Sequence, residues 1–441
     1  MTRSIDPQTP TAGAWPPPGP GARTSGAGLA IAPCRGSSTN GRHRFPVRMV
    51  LAATVMLALA FAIQIAVFGH GGHSSLSDLP RVFLHRGVGS GALPYVDRVL
   101  EYPVGSGVLL YLAALVAPSA LGVFTVTAVT AGALCLVITV VLERRCGARA
   151  WRWAIGTPLL LFAFQNWDVF AIAATLAALI AFEQRRHRLA GALLGVGAAV
   201  KLFPGLLIPP LVALRWAEGE RRGARRLAVS SLTVFAALNL PFAIANRSGW
   251  WWPFAFQSQR NATWGSLWFW AYRLVGAPVH GPSGARFANG VALVALLGGL
   301  AWLTVRAARK HLDPMAVAAA AVTIFILANK VYSPTYDVWL VVFFVVLPLS
   351  RRLWLAFCAV DLAVCLTVYG YFHGVDSGAF VHAVLPWLVL GRTGILVWLL
   401  YTVTRRPIAA MEPEHVVHLD RDPHLPVLAH TVTPAGAGER G

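Results

Sequence analysis

The sequence predicts an all-α polytopic membrane protein, a bundle of about 12 transmembrane helices. Three observations predict it. Of 441 residues, 56% are apolar and only 12% charged, about half the charged share of a soluble domain. Mean hydropathy is +0.60. Apolar runs recur from Val47 to Val403, which excludes a single anchor and leaves a soluble globular protein far too much apolar surface to hide.

Residues 1–46 are rich in Pro, Gly, Ser and Thr, including Trp15 to Pro20, and read as a disordered cytoplasmic tail. Apolar runs then place spans at about 47–68, 119–142, 153–165, 168–182, 189–202, 204–216, 227–245, 287–305, 314–330, 335–350, 353–371 and 379–403. Residues 405–441 form a second polar, disordered tail, leaving 47–404 as the membrane domain. The five cysteines fall in the first tail, in spans or beside cytoplasmic connections, so no disulfide framework is implied.

Charge decides the orientation. The net charge of +19 comes mainly from arginine, with lysine only at Lys201, Lys310 and Lys330. These cations sit at the ends of apolar runs rather than on one soluble face, so nucleic acid is not the expected partner. With the N-terminus inside, the even-numbered connections, with Arg405 and Arg406, hold 19 Lys and Arg; the odd ones hold nine. This asymmetry satisfies the positive-inside rule and places both termini in the cytoplasm. The run Val104–Ala117 is only 14 residues long, and counting it as a span would put Arg144 and Arg145 outside. It is therefore read as an interfacial or half-inserted helix within the first external loop, 69–118.

With this topology the polar clusters gather on the outer side. The first loop carries Asp78, Arg81, Tyr95, Asp97, Glu101 and Tyr102. Further along come Gln165-Asn166-Trp167-Asp168, Lys201-Leu202-Phe203-Pro204, the Trp250–Trp270 stretch with six of 16 tryptophans, and Asn329-Lys330-Val331-Tyr332-Ser333-Pro334-Thr335-Tyr336-Asp337. Three carboxylates facing lysines at two helix ends suit transfer from an anionic lipid. A carboxylate takes the proton of an attacking sugar hydroxyl, and Lys or Arg stabilises the departing phosphate. No GxGxxG and no P-loop occurs in the membrane domain, 47–404, which argues against a nucleotide-sugar donor. Ordinary readings compete: loop carboxylates are solvated, terminal lysines snorkel, and tryptophans form an interfacial belt. Asp361, mid-span, calls for a structural partner or a function.

The ordered set Ser77-Asp78-Leu79-Pro80, Gly91 to Asp97, Glu101-Tyr102-Pro103-Val104, Gln165 to Asp168, Gly191 to Pro204, Trp264 to Phe269 and Asn329 to Pro334 resembles the polyprenyl-phosphate-dependent mannosyltransferases of actinobacteria. These are GT-C-type membrane enzymes related to the α-1,2-mannosyltransferases of phosphatidylinositol-mannoside synthesis. The resemblance covers the membrane region and neither tail. It implies a GT-C-type bundle with a catalytic aspartate in the first external loop. Asp78, ten residues beyond Phe68, matches that place best, with Asp97 and Glu101 as alternatives or as loop and substrate contacts. Thr335 stands where the family usually carries Gln or a similar residue, and Asp337 is less usual there.

The expectation is therefore an inverting hexosyl transfer, most simply of mannose, at the outer face of a bacterial plasma membrane. The donor would be a polyprenyl-phosphate sugar and the acceptor a lipid-linked or polymeric envelope glycan. Asp78 would be the base. Arg81, Tyr95, Asp97, Glu101, Tyr102, Asn166, Asp168, Lys201, Trp264, Lys330, Tyr332, Ser333 and Tyr336 would contact substrates, with membrane lipid as a further partner of the chain. No metal and no cofactor is expected, since a concerted displacement needs none and the sequence shows no ligand cluster of His, Cys and carboxylates. The alternative is a secondary transporter or flippase of lipid-linked sugars, although no internal repeat supports it.

Overall fold

The computed structural model describes residues 46–71, 77–88, 91–372, 374 and 377–405. The two expected tails lie outside these residues, apart from Pro46 and Arg405, as do residues 72–76 and 89–90 of the first loop. Among the described residues, seventeen α-helices follow in order: α1 (Val47–Gly71), α2 (Asp78–Arg86), α3 (Val104–Val116), α4 (Ala120–Cys146), α5 (Trp151–Ala154), α6 (Thr157–Phe162), α7 (Asp168–Glu183), α8 (His187–Val200) and α9 (Ile208–Ala217). Next are α10 (Arg221–Ala245), α11 (Arg247–Gln259), α12 (Leu267–Leu274), α13 (Gly281–Lys310), α14 (Pro314–Ala328), α15 (Asp337–Val346), α16 (Arg351–Phe372) and α17 (Gly378–Arg405).

Among the described residues, six segments are long and apolar enough to cross a bilayer: Val47–Phe68, Ala120–Ala154, Arg221–Ala245, Gly281–Lys310, Arg351–Tyr371 and Gly378–Arg405. The chain is thus a multi-pass membrane protein. Several of the other expected spans are shorter helices. α14 is buried at nearly every position and α15 at all of them, so their apolar character fills the bundle rather than facing lipid. The run 153–165 is not one helix. Gly156 interrupts it, and Pro158, in the first turn of α6, starts a new helix after α5. α14 ends at Ala328, so Lys330 lies in a connection and not in a span.

Small residues set the packing that positions the loops. A Cβ at Gly195 would stand 2.6 Å from the Ser231 carbonyl oxygen, and one at Gly223 would stand 2.7 Å from the His187 ring. α8 and α10 therefore run parallel in near backbone contact, as small-residue seams allow in membranes. The helix expected within the first loop is α3. It begins at the far end of α8: Ser106 Oγ donates to the Val200 carbonyl at 2.8 Å, and a Cβ at Gly105 would meet the Ala199 and Val200 backbone at 2.8 Å. α7 leaves Asp168 and α8 returns to Lys201, which brings both hairpin tips to this same end.

Candidate active site

Ser77 caps α2, its Oγ accepting the Leu79 N–H at 3.2 Å and donating to the Phe164 carbonyl at 2.9 Å. The Asp78 N–H donates to the Gln165 carbonyl at 2.9 Å. The loop helix is thereby fastened to the turn before α7. Asp78 stands in the first turn of α2, where the helix dipole favours a carboxylate. Its Oδ1 pairs with Arg81 at 2.7 Å, and its Oδ2 accepts the Tyr102 hydroxyl. The Asp78 side chain keeps 28% of its surface exposed and Arg81 57%, so this pair is open to a ligand.

Tyr102 joins the loop to the two hairpin tips. Its ring lies edge-on to Trp167 at 5.0 Å and 4.9 Å below the Lys201 ammonium. Lys201 Nζ stands 3.0 Å from Asp168 Oδ1, with the carboxylate almost wholly buried. Burial first, and the nearby Asp78 charge second, push the Tyr102 phenol well above its usual range. It therefore stays protonated and acts as a donor. Asp78, Arg81, Tyr102, Asp168 and Lys201 form one connected charged cluster at one end of the bundle, with Asn166 Oδ1 capping the Asp168 N–H at 2.9 Å.

An aromatic chain leads from this cluster to the second lysine corner. Phe203 stacks on Trp339 at 4.3 Å, Trp339 meets Tyr336 at 4.4 Å, and Tyr336 meets Tyr332 at 6.0 Å. The corner is cross-braced. Lys330 Nζ donates to the Ser258 carbonyl at 3.3 Å and to that of Arg260. Burial, then the Arg260 charge, lower its ammonium to about 8. Tyr332 donates to Asp337 and lies 3.4 Å beneath the Arg392 guanidinium, with Asp361 buried beside them. Ser333 Oγ sits 3.1 Å from Thr335 Oγ1. Trp264 packs edge-on to Tyr371 at 5.0 Å, and its carbonyl accepts the Trp270 indole N–H at 2.7 Å.

Three first-loop residues are engaged in building the loop. Tyr95, at φ +67° and fully buried, donates its hydroxyl to the carbonyls of Tyr102 and Pro103 at 2.8 and 2.7 Å. Asp97 Oδ2 accepts the Leu93 N–H at 2.8 Å, and Glu101 pairs with Arg86 at 2.8 Å. Other contributors were missed from sequence. Gln165 donates to the Tyr369 hydroxyl at 3.0 Å. It belongs to the cluster ending in Asp168, but Tyr369 lies in an apolar run with no signal. A concavity of about 740 Å³ is lined by Asn246, Arg247, Ser248, Trp250 and Trp251 among others, none of them a member of the cluster.

The model of glycosyltransferase family 87 matches residues 100–334, more than half of the chain. The chain belongs to glycosyltransferase family 87. The match takes in Tyr102, Asp168, Lys201 and Lys330, and begins after Asp78 and Arg81. Among solved structures, the family 87 chain is similar to ArnT from Cupriavidus metallidurans in the apo state. That likeness covers 80% of this chain and 77% of the other, at 14% identity and a TM-score of 0.40. No curated protein matches. Family membership and the helices together make the protein a membrane glycosyltransferase.

Proposed function

We propose that this family 87 member transfers a hexose, mannose by our reading, from a polyprenyl-phosphate donor to a lipid-linked or envelope glycan acceptor. The acceptor hydroxyl oxygen attacks the anomeric carbon as the bond to the phosphate oxygen breaks. The hydroxyl proton passes to Asp78, and polyprenyl phosphate leaves with the electron pair. Configuration at the anomeric carbon inverts, so a β-linked donor gives an α-linked product. Arg81 turns its free N–H groups to the leaving phosphate, and Lys201 adds positive potential from beneath. Asp97 and Glu101 hold the loop. No metal or cofactor enters this scheme.

One observation carries the reading: an accessible carboxylate, an exposed guanidinium and a half-buried ammonium are tied together through Tyr102 at one end of a membrane bundle. In the proposed topology this is the outer face of a bacterial plasma membrane, with a GT-C-type bundle of about twelve crossings and both termini inside. The test is purified protein in liposomes with labelled polyprenyl-phospho-mannose and crude envelope glycolipid. Labelled glycolipid released by an α-mannosidase is expected. Movement of the donor across the bilayer without product would favour the transporter reading instead.

A further inference from the structure

The proposed chemistry leaves one charged surface unused, at the other end of the bundle. α7 runs away from the Asp168 corner and α8 returns to Lys201, so the connection between them lies remote from Asp78. α10 starts beside it, where Gly223 packs on His187. Together, residues 183–188 and 215–226 contain eight arginines and three glutamates. The carboxylates are already engaged. Glu183 pairs with Arg145 and Glu218 with Arg215, while Glu220 holds Arg185 and the His187 ring. Arg186, Arg188, Arg222, Arg225 and Arg226 are exposed and have no ion-pair partner among the described residues.

Four arginines fall within the first six residues of α10, whose first turn contains no acidic residue and whose start has no side-chain cap. Cations there face the positive end of the helix dipole and one another, an arrangement that an external anion relieves. The same helix face continues from Arg222 and Arg225 to Val229 and Leu232 at three- and four-residue spacing. Val229 is 63% and Leu232 69% exposed. Cations therefore sit directly above an apolar stripe. A free phosphate or a nucleic acid would use the cations and leave the stripe bare, whereas a phospholipid matches both.

We propose that this face binds an anionic phospholipid, its phosphate held by Arg222, Arg225 and Arg226 and an acyl chain lying along Val229 and Leu232. The site is separate from the sugar-transfer cluster, so the proposal stands or falls without it. The test compares full-length protein in phosphatidylcholine nanodiscs with graded phosphatidylglycerol, reading bound lipid by native mass spectrometry and the thermal midpoint. Wild-type protein retains phosphatidylglycerol in preference to phosphatidylcholine. The triple variant Arg222→Gln, Arg225→Gln, Arg226→Gln weakens that preference roughly a hundredfold. The corresponding triple Arg→Lys variant keeps most of it, and Arg247→Gln, beyond the other end of α10, keeps all of it. The proposal is overturned if the Gln variant keeps the preference or the Lys variant loses it as fully. It is also overturned if inorganic phosphate stabilises the protein as much as the lipid does.

Discussion

At Tyr102 the hydroxyl donates to Asp78 while the ring lies beneath the Lys201 ammonium, so one side chain spans two charged groups. Tyr102→Phe keeps the ring and removes only the donor. A hydrogen bond to a charged group is worth about 1.5–3 kcal/mol, so kcat is expected to fall roughly ten- to hundredfold with KM little changed. Steady-state transfer from labelled donor measures this, and a loss confined to KM contradicts it. Lys330 makes a different prediction. Its folded ammonium titrates near 8, against about 10.4 unfolded, so the folded chain binds fewer protons between those values. Stability is therefore gained as pH rises through that window, and the burial cost is full below it. The thermal midpoint of wild type relative to Lys330→Met should rise from pH 8 to 10; a flat difference contradicts the burial argument.

Among the elements, α3 has the tightest geometric control over the cluster. Gly105 sits against the backbone of Ala199 and Val200, three residues after Tyr102 and at the tip carrying Lys201. Gly105→Ala forces these rigid atoms apart, and overpacking of this kind costs roughly 1–3 kcal/mol. Thermal unfolding in detergent should show the loss, with transfer activity falling further because Tyr102 moves from Lys201. Gly290→Ala on α13, with nothing within 4 Å of the added methyl, should leave both unchanged. The element pattern was partly legible. α1, α4, α10, α13, α16 and α17 announce themselves as long apolar runs. α5 and α6 do not, because Gly156 and Pro158 break a run whose composition alone looks continuous. α14 and α15 look like lipid-facing spans because composition cannot distinguish a helix surrounded by protein from one surrounded by lipid.

For the whole molecule, the helices bring chemistry from four separate stretches of chain to one end, and the sequence shows the residue types before it shows their partners. Asp78, Lys201 and Asp168 stand out because charge is scarce in an apolar chain. That Glu101 is paired with Arg86, that Lys330 is held by backbone carbonyls, and that Tyr369 meets Gln165 all depend on tertiary packing. Nothing in local spacing signals these contacts. The central claim is that Asp78, alone of the three first-loop carboxylates, takes the proton in sugar transfer. Single-turnover transfer by Asp78→Asn, Asp97→Asn and Glu101→Gln, each matched to wild type for thermal midpoint, tests it most directly. The account predicts that Asp78→Asn loses at least about a hundredfold in rate, while the other two stay within about tenfold of wild type. Wild-type turnover in Asp78→Asn, or abolition of turnover by Asp97→Asn or Glu101→Gln alone, would contradict it.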